Sequence, residues 1–307
     1  MKLLTRRTFV GAALLCSADA AFGVTARSPR ANFPIAPRAR IAVATYPFRA
    51  VMDAPGNPDR DPAKAGMDLA AFAKLVKDEF KVSGIEPLHS HFSSTEPGQI
   101  VKLRAAFDAV GVHTVNIPVD EPVELCSQVE EKRNAGNASY RRWIDIAVIL
   151  GSPSIRVSIP TCSDTSDIPK AIQALQPTLD YAREKGIVVN LENDDPVLSS
   201  ATRILAAIQQ ANTPWLRALP DFANSLMGGD ERFNTTAVKQ MFAHAWNITH
   251  VKDAEVIKGK RETVSLGELF TIAKASGYRG YYSMESDSEV DPFADTRHLI
   301  EQTLLLM

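Results

Sequence analysis

Two glutamates, an aspartate and a histidine stand at the ends of four successive apolar runs. Glu192 follows Gly186-Ile-Val-Val-Asn-Leu, Asp221 follows Trp215-Leu-Arg-Ala-Leu-Pro, His250 follows Trp246-Asn-Ile-Thr, and Glu285 follows Tyr281-Tyr-Ser-Met. The intervals of 29, 29 and 35 residues are each about one strand plus one helix. If the runs are parallel strands of one barrel, all four side chains reach the same rim. Three carboxylates supply the charge that compensates a divalent cation for lost hydration, and one imidazole biases the set away from Ca²⁺. The expected cofactor is one divalent metal ion, Mn²⁺, Mg²⁺, Co²⁺ or Zn²⁺.

The elements that must position these groups follow one grammar: a short apolar run, a loop, an amphipathic helix, and often a glycine before the next run. The strands are read over 40–46, 84–88, 113–118, 154–159, 187–192, 216–221, 248–252 and 280–285. The helices are read over 69–80, 98–110, 138–150, 168–185, 198–211, 235–245, 266–276 and 292–306. Gly111, Gly151, Gly186 and Gly277 follow directly on helical stretches, where a left-handed C-cap costs glycine little. Eight alternations predict a single-domain (β/α)₈ TIM barrel over 40–307. A doubly wound sheet would not bring side chains from four consecutive strands to one point. Two long loops, 49–68 and 120–137, follow strands and therefore belong on the catalytic rim.

Several other residues face the same rim by this reading. Lys252 lies two residues beyond His250 and shares its side of the strand. His89 and His91 close the second strand, Arg156 lies on the fourth, and Tyr46 ends the first with a ring and a polar tip. All five are candidate substrate-binding groups; Lys252 could instead pair with a rim carboxylate, and Arg156 with Glu192 or Glu86. Asn193 and Asn224 are placed to orient the carboxylates.

Leu191-Glu192-Asn193, Pro220-Asp221-Phe222-Ala223-Asn224, Thr249-His250-Val251-Lys252-Asp253 and Ser283-Met284-Glu285 resemble the motifs of the sugar phosphate isomerase/epimerase group, the xylose-isomerase-like barrels. The resemblance is sharpest over 186–286, and its His-x-Lys-Asp segment is the most specific part. It implies that Glu192, Asp221, His250 and Glu285 bind one divalent metal and that Glu192 and Glu285 are the catalytic acid/base pair. It also implies isomerisation or epimerisation of a carbohydrate, with loss of a leaving group as a lyase, or carbohydrate binding without catalysis, as alternatives. Barrels of this group often pair, so a homodimer is an option that no sequence patch decides. The chain departs from the group after His-x-Lys-Asp, where Gly259-Lys260-Arg261-Glu262 stands in place of a Gly-x-Gly stretch. A second metal, as in hydride-shift isomerases, would need further acids, of which only Asp253 and Asp287 are near in sequence.

Bulk properties exclude other classes. The 307 residues are 45% hydrophobic and 23% charged with a net charge of −2, which suits a core-bearing globular protein and offers no basic footprint for nucleic acid. With six histidines the chain lacks the ligands of the multi-zinc endonucleases that share the barrel. Residues 1–26 read as an export leader: Arg6-Arg7 in Thr5-Arg6-Arg7-Thr8-Phe9-Val10 resembles a twin-arginine signal, followed by a short apolar stretch and Val24-Thr25-Ala26. The stretch is too short for a membrane span. Residues 27–39 read as a linker, and the expected location is periplasmic or secreted, which disfavours phosphorylated sugars. Cys126 and Cys162 form no disulfide framework; two buried thiols are expected, with a single bridge as the alternative.

Overall fold

The computed structural model describes residues 28–162, 167–287 and 290–307; the twin-arginine stretch lies outside them. β1 (Ile41–Ala44), β2 (Gly84–Glu86) and β3 (His113–Thr114) lead into β4 (Pro118–Val119), β5 (Ser154–Val157), β6 (Val188–Glu192), β7 (Leu216–Leu219) and β8 (Ile248–Val251). An antiparallel hairpin of β9 (Ala254–Ile257) and β10 (Lys260–Thr263) precedes the last barrel strand, β11 (Tyr281–Met284). The parallel ladders run β3-β2-β1-β11-β8 and β4-β5-β6-β7. Bridges Ala218–Ala245 and Asp221–His250 join β7 to β8, and β3 and β4 are two halves of one strand passage, so the ring closes as a (β/α)₈ barrel. The strand read over 113–118 is thus interrupted over 115–117, between its pairing with β2 and its pairing with β5.

Eight helices surround the ring: α1 (Leu69–Leu75), α2 (Pro97–Val110), α3 (Glu130–Leu150), α4 (Ile168–Lys185), α5 (Ala201–Ala211), α6 (Glu231–Phe242), α7 (Leu266–Ala275) and α8 (Pro292–Leu306). Each sends a large side chain to the layer between helices and sheet: Phe72, Phe107, Trp143, Leu175, Ile204, Met241, Phe270 and Leu299 are all essentially buried. That layer is why the strands read as unbroken apolar runs, since both their faces are covered. Aspartates cap four helix starts, with Asp68 accepting from Ala71 N at 2.8 Å, Asp167 from Lys170 N at 3.0 Å, Asp230 from Phe233 N at 2.8 Å and Asp291 from Ala294 N at 3.0 Å. At the other ends, Gly151 and Gly186 take φ of 71° and 76°, the left-handed caps read from the sequence.

Three segments differ from expectation. α3 starts at Glu130 rather than Ala138, because Gly136 lets the helix pack against Val123 and Leu125 without a clashing Cβ. The first rim loop is a packed element, since Asn57 is buried and donates to the carbonyls of Arg49 and Met52, both at 2.7 Å. The supposed linker docks onto the barrel: Phe33 meets Trp246 and Tyr281 edge-on at 5.7 and 6.0 Å between centroids.

Cys126 and Cys162 are joined as a disulfide, with Cα atoms 5.1 Å apart. The expectation of two thiols is corrected. The bridge ties the loop before α3 to the segment after β5, and only the fold brings the two cysteines together.

Candidate metal and substrate site

Glu192 ends β6, Asp221 follows β7, His250 lies in β8 and Glu285 follows β11, all at one end of the barrel. Each offers one ligand atom, and the four atoms lie within 4.8 Å of one another. All four residues are buried. His250 Nδ1 stands 2.7 Å from Glu192 Oε1, 2.9 Å from Glu285 Oε2 and 3.9 Å from Asp221 Oδ2.

The surroundings prepare these atoms for a cation. Asp221 Oδ1 is taken by the backbone amides of Ala223 and Asn224 at 2.8 and 2.7 Å, which leaves Oδ2 buried with no hydrogen-bond donor and turned to the centre of the group. A buried carboxylate oxygen without a donor is costly, and a divalent ion among three carboxylates and an imidazole would satisfy it. The donor set fits such an ion. Asn193 fixes Asp221 from behind, accepting its N–H at 2.8 Å and donating to its carbonyl at 3.2 Å. Asn224 donates to Glu192 Oε1 at 3.3 Å. Both asparagines therefore orient the carboxylates, as read from the sequence.

Charges set the protonation pattern. Burial alone would raise Glu192 and Glu285, but the imidazole of His250, with Arg156 beside the first and Lys252 beside the second, holds both carboxyls below the ordinary range. Asp221 is pushed up to about 7 by burial against the pull of Lys252. Burial disfavours the His250 imidazolium, yet Glu192, Glu285 and Glu86 together lift its pKa well above the usual value.

A cavity of about 290 Å³ opens above the group. Glu192 and Glu285 line it, whereas Asp221 and His250 do not. The two glutamates therefore face both a shared ion and anything the cavity holds. Lys252 and Arg156 line the same cavity. Lys252 Nζ donates to Asn224 Oδ1 at 2.9 Å and stands 3.5 Å from Glu285. Arg156 Nε stands 3.0 Å from Glu192 Oε2 and its guanidinium also reaches Asp120 and Asp194. Tyr46 presents its ring to the wall, with Arg49 at 4.4 Å and Lys252 at 5.9 Å from the centroid.

The family model for the xylose isomerase-like TIM barrel matches residues 47–304. The chain belongs to that family. Among curated proteins none matches the sequence. Solved structures share the fold: a xylose isomerase domain protein from Planctomyces limnophilus is 21% identical, with 87% of this chain and 96% of that one covered at a TM-score of 0.63. A D-psicose 3-epimerase is 13% identical over 87% of this chain and 99% of its own, at a TM-score of 0.68. A 3-keto-D-glucoside 4-epimerase from E. coli is 16% identical over 86% and 98%, at 0.63.

Within this xylose isomerase-like barrel, two candidate residues lie outside the cavity wall. The strand passes into a short 3₁₀ turn at His89–His91, which breaks the alternation that aimed them inward. His91 is buried against the Thr45 hydroxyl at 2.7 Å, and burial pushes its pKa down to about 3. His89 packs edge-on against Trp143 and accepts from the Asp120 amide at 3.1 Å. Asp253 pairs with Arg261 on the hairpin at 2.7 Å, and among the described residues only the quartet groups as metal-competent.

Three wall carboxylates escaped the sequence reading, Asp120, Asp194 and Glu255, and Glu86 entered it only as a possible partner of Arg156. Asp194 carried a signal, being the second residue after Glu192. Glu255 carried none, because it is placed by the β9–β10 hairpin, whose turn puts Lys258 and Gly259 at φ of 53° and 78°. Among the described residues no helix is long and apolar enough to cross a membrane.

Proposed function

We propose that the protein is a divalent-metal-dependent isomerase or epimerase acting on a carbohydrate by proton transfer. The observation that carries this reading is the division of the quartet: two carboxylates face the cavity and two ligand groups stay behind them. The names of the structurally similar epimerases agree with it. A cation held by Glu192, Asp221, His250 and Glu285 would supply Lewis-acid stabilisation of negative charge building on a substrate carbonyl oxygen.

The chain's own residues do the rest. Glu192 and Glu285 are ionised, so either can take the proton from a carbon next to the carbonyl and leave an enediolate. For inversion the glutamate on the opposite face must first take a proton from solvent and then deliver it to that carbon; delivery to the neighbouring carbon by the glutamate that took the first proton isomerises the sugar. Lys252, beside Glu285, offers a further positive charge to the developing oxyanion. Seven carboxylates against two cations line the wall, so a neutral sugar or keto-glycoside suits it better than a phosphorylated one.

A second reading, a lyase on a keto-glycoside, is favoured by one feature. Burial pushes Asp194 up to about 6 and raises Glu255 as well, which makes either a better general acid for a departing oxygen than an ordinary carboxyl. The Mn²⁺-loaded protein, mixed with ketoses and keto-glycosides in deuterated water and followed by NMR, separates the outcomes. Solvent deuterium at one carbon with every group retained supports the first reading; release of an alcohol supports the second. A tightly bound sugar whose α-proton never exchanges overturns both.

The export leader and the disulfide support a location outside the cytoplasm. Amino-terminal sequencing of protein recovered from the periplasm or medium tests it: a start near residue 27 is expected, and an intact Met1 in cytoplasmic protein overturns it.

A further inference from the structure

A fourth carboxylate lies beside the quartet, against its histidine. Glu86 ends β2, across the barrel from β8, and is 1% exposed. His250 Nε2 stands 3.0 Å from each of its two oxygens. The carboxylate is itself held, since Ser283 Oγ donates to Oε2 at 2.5 Å and Asn116 Nδ2 donates to Oε1 at 2.8 Å. Asn116 is fixed in turn by the Ser154 hydroxyl, which donates to its Oδ1 at 2.5 Å. Donors from three different strand passages therefore converge on Glu86 and prevent it from turning away.

A neutral imidazole carries one proton on two nitrogens, so a partner that binds the proton on one nitrogen leaves the lone pair on the other. We propose that Glu86 is a positioning residue for His250: by holding Nε2–H it makes Nδ1 the metal-ligating atom, and its charge strengthens that nitrogen as a donor. Nδ1 is the nitrogen that faces Glu192, Glu285 and Asp221. Without Glu86 the buried Nε2–H would have no acceptor, and the ring could rotate or change tautomer. A carboxylate behind a ligating histidine sets affinity without touching the ion. The inference rests on the metal reading of the quartet.

Glu86→Gln tests it while keeping the side chain's shape. The amide oxygen can still accept from Asn116 and His250, and the amide nitrogen can meet Ser283 with its hydroxyl reversed; only the charge goes. Mn²⁺ titration of the metal-free wild type and the variant is expected to show binding weakened about ten- to a hundredfold. In parallel, ¹⁵N NMR of the Zn²⁺-loaded wild type is expected to show His250 with Nε2 protonated and Nδ1 metal-bound. Equal Mn²⁺ affinity in the two proteins, or a spectrum with the metal on Nε2, overturns the inference and leaves the metal reading standing. If the variant fails to fold, the wild-type spectrum decides alone. A wild type that takes up neither Mn²⁺ nor Zn²⁺ overturns the metal reading and this inference with it.

Discussion

Arg156 and Glu192 form an ion pair between neighbouring strands, 3.0 Å from Nε to Oε2, with their side chains only 8% and 2% exposed. Burial pulls the guanidinium's pKa down, but Asp120, Glu192 and Asp194 hold it well above the ordinary value. Removing Arg156 leaves Glu192 with only His250 as a counter-charge among the described residues of the buried site, and breaking a buried pair of this kind costs about 3–5 kcal/mol. Arg156→Met is expected to lower the unfolding free energy by about that amount in urea titrations of the metal-free protein. Arg156→Lys keeps a charge but not the planar fork that reaches three carboxylates, so its loss should be smaller but measurable. Equal stability of Arg156→Met and wild type would contradict the pairing.

Acid should expel the metal. In the metal-free site Asp221 sits at about 7 and His250 is held protonated by its carboxylate neighbours, so both carry protons at and below neutral pH. Glu192 and Glu285, with lowered pKa values, carry none. A dication must displace the protons on Asp221 and His250. Mn²⁺ affinity is therefore expected to fall between pH 8 and pH 6, by up to about tenfold per pH unit for each proton displaced. Calorimetry in two buffers of different ionisation enthalpy reads the protons released, and a pH-independent affinity with no release would refute the assignment.

Lys252 separates binding from chemistry. Its ammonium lies against Asn224 and Glu285 and is not a ligand. Lys252→Met is expected to keep Mn²⁺ binding while slowing solvent exchange of a sugar α-proton by about 10²–10³-fold. Unchanged exchange with unchanged metal affinity would confine Lys252 to the structure of the wall.

The parts of this site legible in the sequence are those that follow from strand ends. Glu192, Asp221, His250 and Glu285 each terminate an apolar run, and Lys252 follows from alternation, so chain order alone carried them to one rim. His89 and His91 obey the same rule on paper, but a 3₁₀ turn replaces the strand beneath them. Glu86 lay mid-strand in the reading over 84–88 and could not be seen as a partner of His250, because the contact spans 164 residues. Glu255 depends on a hairpin whose turn forces Lys258 to positive φ, a conformation that nothing about lysine announces. Phe33 has no periodicity around it, and only the aromatic pocket under the barrel shows why its segment docks.

The disulfide gives the last test. Cys126 and Cys162 are 36 residues apart, and closing a loop of that length restricts the unfolded chain by roughly 3–4 kcal/mol. Cys126 lies in the loop that begins at Asp120, whose carboxylate pairs with Arg156, so the bridge also steadies one wall of the cavity. Two measurements follow. The native protein should show no thiol from this pair to a thiol reagent until it is unfolded and reduced. Reduction should shift its urea midpoint downward by an amount equivalent to roughly 3 kcal/mol, while a Cys126→Ala variant should unfold at the same midpoint with or without reductant. A wild type whose midpoint ignores reductant would mean that the bridge does not form.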